Sequence, residues 1–86
     1  MTREGYDFNA CTHSKEMAER ILEYFVHCGI PHSFRYERVR QPKLMFHINA
    51  YTEDTNLRNL IRKQFDVEQI EYTERIVKQT NVHVDT

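Results

Sequence analysis

The chain has 86 residues, enough for one two-layer core and too few for a second. Apolar residues make up 40% and charged residues 29%, with no apolar run as long as a membrane span, which indicates a globular chain with no place in a membrane. A formal net charge of -1 excludes a strongly acidic DNA mimic and a generally basic nucleic-acid binder.

The first alternating run goes from Tyr6 to Cys11, with Tyr6, Phe8 and Ala10 on one face and Asp7, Asn9 and Cys11 on the other. Thr12 and Ser14 then offer capping oxygens, and Met17, Ile21, Tyr24, Phe25 and Cys28 recur at helical spacing, which predicts a helix from Lys15 to Cys28. Gly29 suits its C-terminal cap and Pro31 stops it. A second strand from His32 to Val39 turns Phe34 and Tyr36 inward. After a turn at Arg40, Gln41 and Pro42, a third strand from Lys43 to Tyr51 carries Leu44, Phe46, Ile48 and Ala50, the clearest alternation in the chain. Thr52, Glu53 and Asp54 cap a second helix that presents Leu57, Leu60, Ile61 and Phe65. The last strand, about Glu68 to Val77, places Ile70 and Tyr72 inward, yet Glu74 shares their parity, so either a bulge shifts the register or the strand has left the core.

The order is βαββαβ, an α+β, ferredoxin-like split β-α-β sandwich with two helices on one face of a four-stranded antiparallel sheet. The expectation is a single domain over residues 1–86, with an ordered core of about 6–78, a tail of 79–86 that packs on nothing, and no repeat, linker or low-complexity tract. Met1 to Gly5 lack the apolar core of a secretory leader, and Cys11 and Cys28 are too few for a disulfide framework, so a cytoplasmic location with reduced thiols is expected.

This topology hosts many functions, so function has to come from surface groups. The uncovered sheet face should carry Asp7, Asn9, Cys11, Arg35, Glu37, Met45, His47, Asn49, Tyr51, Glu71, Thr73 and Arg75, a mixture richer in interface residue types than a merely solvated face needs. Beside it, Arg35, Arg38, Arg40 and Lys43 surround a hairpin with one acid, Glu37, among them. Asp66, Glu68, Glu71 and Glu74 give the opposite edge the opposite sign, which suits either pairing between copies into a homodimer or a filament, or protection against such pairing.

RNA recognition through this sheet would need stacking aromatics on the first and third strands, and only Tyr51 qualifies. The Cys11-Thr12-His13-Ser14 connection has none of the glycines of a phosphate loop. Cys11, His13 and His47 are within reach of one another as a nucleophile with its base or as a partial metal site, while His27, Cys28 and His32 form a looser group, with Cys28 in the core and His27 exposed. Ordinary structural roles are the simpler reading of each, so no metal, no cofactor and no catalysis are expected. The reading is a protein-binding module, an adaptor or a small inhibitor such as a virus-encoded antidefence protein. It would engage an acidic protein patch through Arg35, Met45, His47 and Tyr51 on the sheet and Arg38, Arg40 and Lys43 on the hairpin. The alternative is electrostatic nucleic-acid binding through the same hairpin.

Overall fold

The helices start where side chains satisfy their first amides. Ser14 Oγ accepts from Met17 N–H at 3.1 Å, and Asp54 Oδ1 accepts from the amides of Asn56 and Leu57 at 2.7 and 3.2 Å. Both helices end on left-handed residues, Gly29 at φ 69° and Gln69 at φ 57°. In the computed structural model, which describes the backbone of residues 2–40 and 43–80 and the side chains of residues 4–38 and 43–78, the order is β1 (Thr2–Thr12), α1 (Lys15–Cys28), β2 (His32–Arg40), β3 (Lys43–Thr52), α2 (Thr55–Glu68) and β4 (Tyr72–Thr80). The sheet is antiparallel with strand order β2-β3-β1-β4.

Period-two alternation puts Tyr6, Phe8 and Ala10 of β1 and Phe46, Ile48 and Ala50 of β3 under the helices, where they meet Ala18, Ile21 and Phe25 of α1 and Ile61 and Phe65 of α2. Phe65 is the hub, with its ring 6.1 Å from Phe8, 5.8 Å from Phe25 and 4.9 Å from Tyr72.

The strands are longer than their apolar patterns indicate. Residues Thr2 to Gly5 of β1 pair with β4 alone, up to Thr2 against Thr80, while Glu37 and Arg38 pair with Met45 and Leu44 beyond the last β1–β3 pair, Thr12 with Phe46. Two ribbons therefore protrude from diagonally opposite corners of the sheet. The turn at Gln41 and Pro42 and the tail past Thr80 lie outside the described residues. β4 begins at Tyr72 rather than at Glu68, because α2 continues to Glu68 and the left-handed Gln69 ends it, with Ile70 N–H donating to Phe65 O at 3.1 Å. Of the two explanations for Glu74, neither holds: β4 pairs with β1 without interruption from Tyr72 to Thr80, and Glu74 stays on the helix side. The irregularity in the sheet lies in β2, between Arg38 and Arg40.

The expectation of no repeat is overturned. The two βαβ halves follow one another at an offset of 40 residues: the two helices start at Lys15 and Thr55, and the left-handed caps fall at Gly29 and Gln69. At the same offset stand Asn9 and Asn49, Ala10 and Ala50, Thr12 and Thr52, Ile21 and Ile61, Phe25 and Phe65, Ile30 and Ile70, and Arg35 and Arg75. The equivalence extends to bonds. Thr12 Oγ1 accepts from Ser14 N–H and Thr52 Oγ1 from Asp54 N–H, both at 3.0 Å, and the carbonyls of Phe25 and Phe65 accept from Ile30 and Ile70.

Candidate functional site

Residues proposed from sequence as contacts fall on two surfaces. Arg35, Met45, His47 and Tyr51 share the open sheet face by strand parity, whereas Arg38 points to the helix side, where it lines a groove with Phe34 and Tyr36. Lys43 edges a neighbouring depression with His13 and Lys15. Arg40 belongs to β2 by its backbone, and its side chain lies outside the described residues.

The open face is a polar network more than an apolar platform. Asn49 Nδ2 shares its hydrogens among Asp7 Oδ1 at 2.9 Å and the Phe8 carbonyl and Asn9 Oδ1, each at 3.0 Å. Arg75 approaches Asp7 at 3.5 Å. Tyr51 is half-buried, with its ring across Gly5, where a Cβ would collide with the phenol oxygen, and its hydroxyl donates to Glu53 at 3.1 Å. Gly5 thus serves the sheet by admitting that ring, in place of the terminal role its sequence position implies.

One chain of contacts stands out on this face. His47 Nε2 lies 2.7 Å from Glu37 Oε1, and His47 Nδ1 lies 3.1 Å from the exposed Cys11 Sγ. A carboxylate only accepts, so Nε2–H donates to Glu37, and in the neutral imidazole the Nδ1 lone pair then faces the thiol, which donates. Strand register makes this arrangement, since His47 pairs with Cys11 on β1 and Arg35 on β2, and Glu37 sits two residues beyond Arg35. His13, which the sequence places with Cys11, instead donates Nδ1–H to Leu44 O at 2.9 Å. In the second group, His32 donates Nδ1–H to Ile30 O at 2.8 Å, Cys28 packs on the core, and His27 is exposed. Among the described residues, no three His, Cys, Asp or Glu side chains converge on a metal position.

On the helix side, a groove of about 470 Å³ runs between α1 and the β2–β3 hairpin, floored by Leu22, Leu44 and Phe46. Phe34 stacks on Phe46 at 5.9 Å yet remains 41% exposed, and Tyr36 is 63% exposed on the same edge strand. Lys15 and Arg38 bring positive charge to the groove; Lys15 also lies 3.8 Å from Glu19.

The corresponding place in the second half is closed. There Glu74 accepts from Arg58 Nε and from Nε and Nη2 of Arg62, and the Arg58 guanidinium lies 4.0 Å over the Tyr6 ring. Burial pushes the Glu74 carboxyl up, but the two guanidinia outweigh it and hold the group below the usual carboxylate range. Arg20 likewise binds both oxygens of Glu68 and holds that carboxyl low. Two of the four acids read as one negative edge are therefore neutralised internally, and β4 carries Arg75 and Lys78 in addition, so the charge argument for pairing opposite edges between copies falls away.

No family model matches the chain, and no curated protein matches it. Solved structures do. LarC2, described as the C-terminal domain of a cyclometallase involved in synthesis of the NPN cofactor of lactate racemase, is 10% identical with a TM-score of 0.69 over 93% of this chain. A prephenate dehydratase from Streptococcus mutans is 13% identical with a TM-score of 0.60 over 84% of it. The chain spans only 58% and 41% of those two structures. A point mutant of SnoaB, a cofactor-independent oxygenase from Streptomyces nogalater, is 12% identical with a TM-score of 0.53 over 95% of this chain and 98% of its own length. At such identities the likeness concerns architecture alone. The chain has the ferredoxin-like α+β arrangement, and among the described residues no helix is long and apolar enough to cross a membrane.

Proposed function

We propose that the domain is a non-catalytic protein-binding module whose contact surface is the groove between α1 and β2. The observation that carries this reading is the pair of solvent-exposed aromatics, Phe34 and Tyr36, alternating along an edge strand that has no further neighbour among the described residues, beside an apolar floor. Aromatic anchors beside arginine are the composition of interface hot spots, and an edge strand offers its free amides and carbonyls to one more strand. The occupant that fits is an extended segment of a partner protein, with apolar side chains at alternate positions to cover Phe34 and Tyr36 and acidic ones to meet Arg38, Lys15 and Lys43. An adaptor or an occluding inhibitor would use such a surface in the same way. The open-face residues Met45 and Tyr51 contribute less to this reading than their types suggest, because both are half-buried.

The test is selection of displayed random peptides against the domain, followed by affinity measurement at 50 and 200 mM salt. Enriched peptides should alternate apolar and acidic residues. They should lose at least about tenfold in affinity for Tyr36→Ser and for Leu22→Arg, as expected of interface anchors, while Thr73→Lys on the open face changes nothing. No enriched peptide, or peptides indifferent to both groove variants, refutes the proposal. Single-stranded oligonucleotide binding that collapses over that salt range would instead favour the electrostatic nucleic-acid reading.

A further inference from the structure

The Cys11–His47–Glu37 chain lies on the sheet face opposite the groove, and the protein-binding reading makes no use of it. It borders a depression of about 200 Å³ that Arg35, Asn9 and Asn49 also line. The second half supplies an internal comparison. Forty residues from Arg35 stands Arg75, held against Asp7; the residue equivalent to Asp7 is His47. Arg35 therefore lacks the carboxylate its counterpart has, and it makes no ion pair among the described residues. The counterpart of Cys11 is Tyr51, whose ring is laid down over Gly5, whereas Cys11 is exposed.

We propose that Cys11 is an activated nucleophile that accepts small electrophiles bearing a carboxylate, with His47 taking the thiol proton, Glu37 orienting the imidazole and Arg35 receiving the carboxylate. In nucleophilic thiol sites, a base faces the sulfur and a third group fixes the base, and the order Cys11, His47, Glu37 has that logic. The sulfur electron pair forms the bond to carbon while the proton rests on Nδ1. With an α,β-unsaturated carboxylate, the alkene π pair moves to the α-carbon, which takes that proton back, so the addition balances without a further reactant. With a haloacetate, the carbon–halogen pair leaves as halide and the proton passes to water. Arg35 and His47 are positioning and proton-transfer groups for one thiol, on a face where the two asparagines are occupied with each other and with Asp7.

The test compares alkylation of Cys11 by iodoacetamide and by iodoacetate from pH 6 to 9, read by peptide mass spectrometry on the intact protein. Cys28, half-buried against the core, stays slow in every folded variant and so reports folding. At pH 6.5, Cys11 should react about tenfold or more faster than in His47→Gln, since the thiolate is the reacting form. Glu37→Gln should fall between the two. Arg35→Gln should lower the iodoacetate-to-iodoacetamide rate ratio several-fold and leave the iodoacetamide rate alone. Equal rates and equal pH profiles for the wild type and His47→Gln would overturn the proposal; an unchanged ratio in Arg35→Gln would overturn its carboxylate part. None of these positions lines the groove, so peptide binding is unaffected in either case.

Discussion

The ionic layer beneath β4 makes a quantitative prediction. Glu74 is 14% exposed and accepts three charge-assisted hydrogen bonds from Arg58 and Arg62. Glu74→Gln keeps the shape but removes the charge and turns an amide toward two guanidinia. Breaking a buried pair costs roughly 3–5 kcal/mol, and a hydrogen bond to a charged group contributes about 1.5–3 kcal/mol. Arg62 is 40% exposed, so water screens part of the loss, and about 2 kcal/mol at pH 7 is expected. In a domain of this size that lowers Tm by about 10 °C.

The pH dependence follows from the direction of the shift. The folded Glu74 carboxyl titrates below the ordinary carboxylate range, so as pH falls the unfolded chain takes up its proton first. The stability Glu74 contributes is complete above that ordinary range and is lost as pH falls through the lower folded value, where the wild type also becomes neutral. Urea denaturation followed by far-ultraviolet circular dichroism, at pH 7 and at pH 3, should show a gap between the two proteins that closes in acid. A gap below about 0.5 kcal/mol at pH 7, the size of an ordinary surface effect, or one that persists unchanged at pH 3, would refute the role assigned to Glu74.

Three further outcomes are expected. Glu74→Phe alone should destabilise by about 3 kcal/mol, but the triple change Glu74→Phe, Arg58→Ala and Arg62→Leu, which copies the first-half residues Phe34, Ala18 and Leu22, should return to within roughly 1 kcal/mol of wild type in the same denaturation assay. Phe25→Leu and Phe65→Leu, singly and together, should show a coupling of about 1 kcal/mol, because their rings meet edge-on at 5.8 Å with an interplanar angle of 79°; additivity within about 0.3 kcal/mol would contradict that contact. Gly5→Ala should cost about 1–3 kcal/mol by driving Tyr51 off the strand, and most of that loss should be recovered in the double variant with Tyr51→Ser.

Most of the element order is legible in the sequence because period and caps agree. Ser14 and Gly29 bound α1 as read, and the alternation from Leu44 to Ala50 identifies a central strand. Parity also gives the open face correctly for residues such as His47 and Asn49. The ribbons are not legible because a two-stranded extension has little core to cover, so Thr2 to Gly5 show no apolar alternation. The duplication is hidden because its identities are few and fall mostly at packing, turn and pairing positions such as Ala10, Thr12, Ile21 and Phe25, while most solvent-facing residues between them differ. Glu74 is a visible signal whose meaning is not local. Arg58 and Arg62 form one helical face, and a carboxylate on the inward parity of the following strand is their partner; joining the two needs the spatial pairing of α2 with β4. His47 can be grouped with Cys11 from sequence, but Glu37 cannot, since its place beyond His47 depends on the β2–β3 register.

The 40-residue equivalence shows why both candidate surfaces lie in the same part of the molecule. A groove between helix and edge strand is a geometric consequence of this fold, present twice by pseudo-symmetry, and side-chain length decides whether it stays open. Arg58, Arg62 and Glu74 span the second one and tie β4 to α2. Ala18, Leu22 and Phe34, at the equivalent positions, are short or uncharged, so nothing reaches across and Phe34 remains in solvent. The open face divides in the same way. Asp7 holds Arg75 and Tyr51 covers Gly5 on one side, while His47 and Cys11 at the equivalent positions leave Arg35 without an acid among the described residues and a thiol exposed. A fold that needed only stability would have no reason to treat its two halves differently, since apolar and ionic fillings of the same place are close in stability. The unlocked copies of both features involve β2, one of the two edge strands, and the binding proposed for that edge would account for the asymmetry.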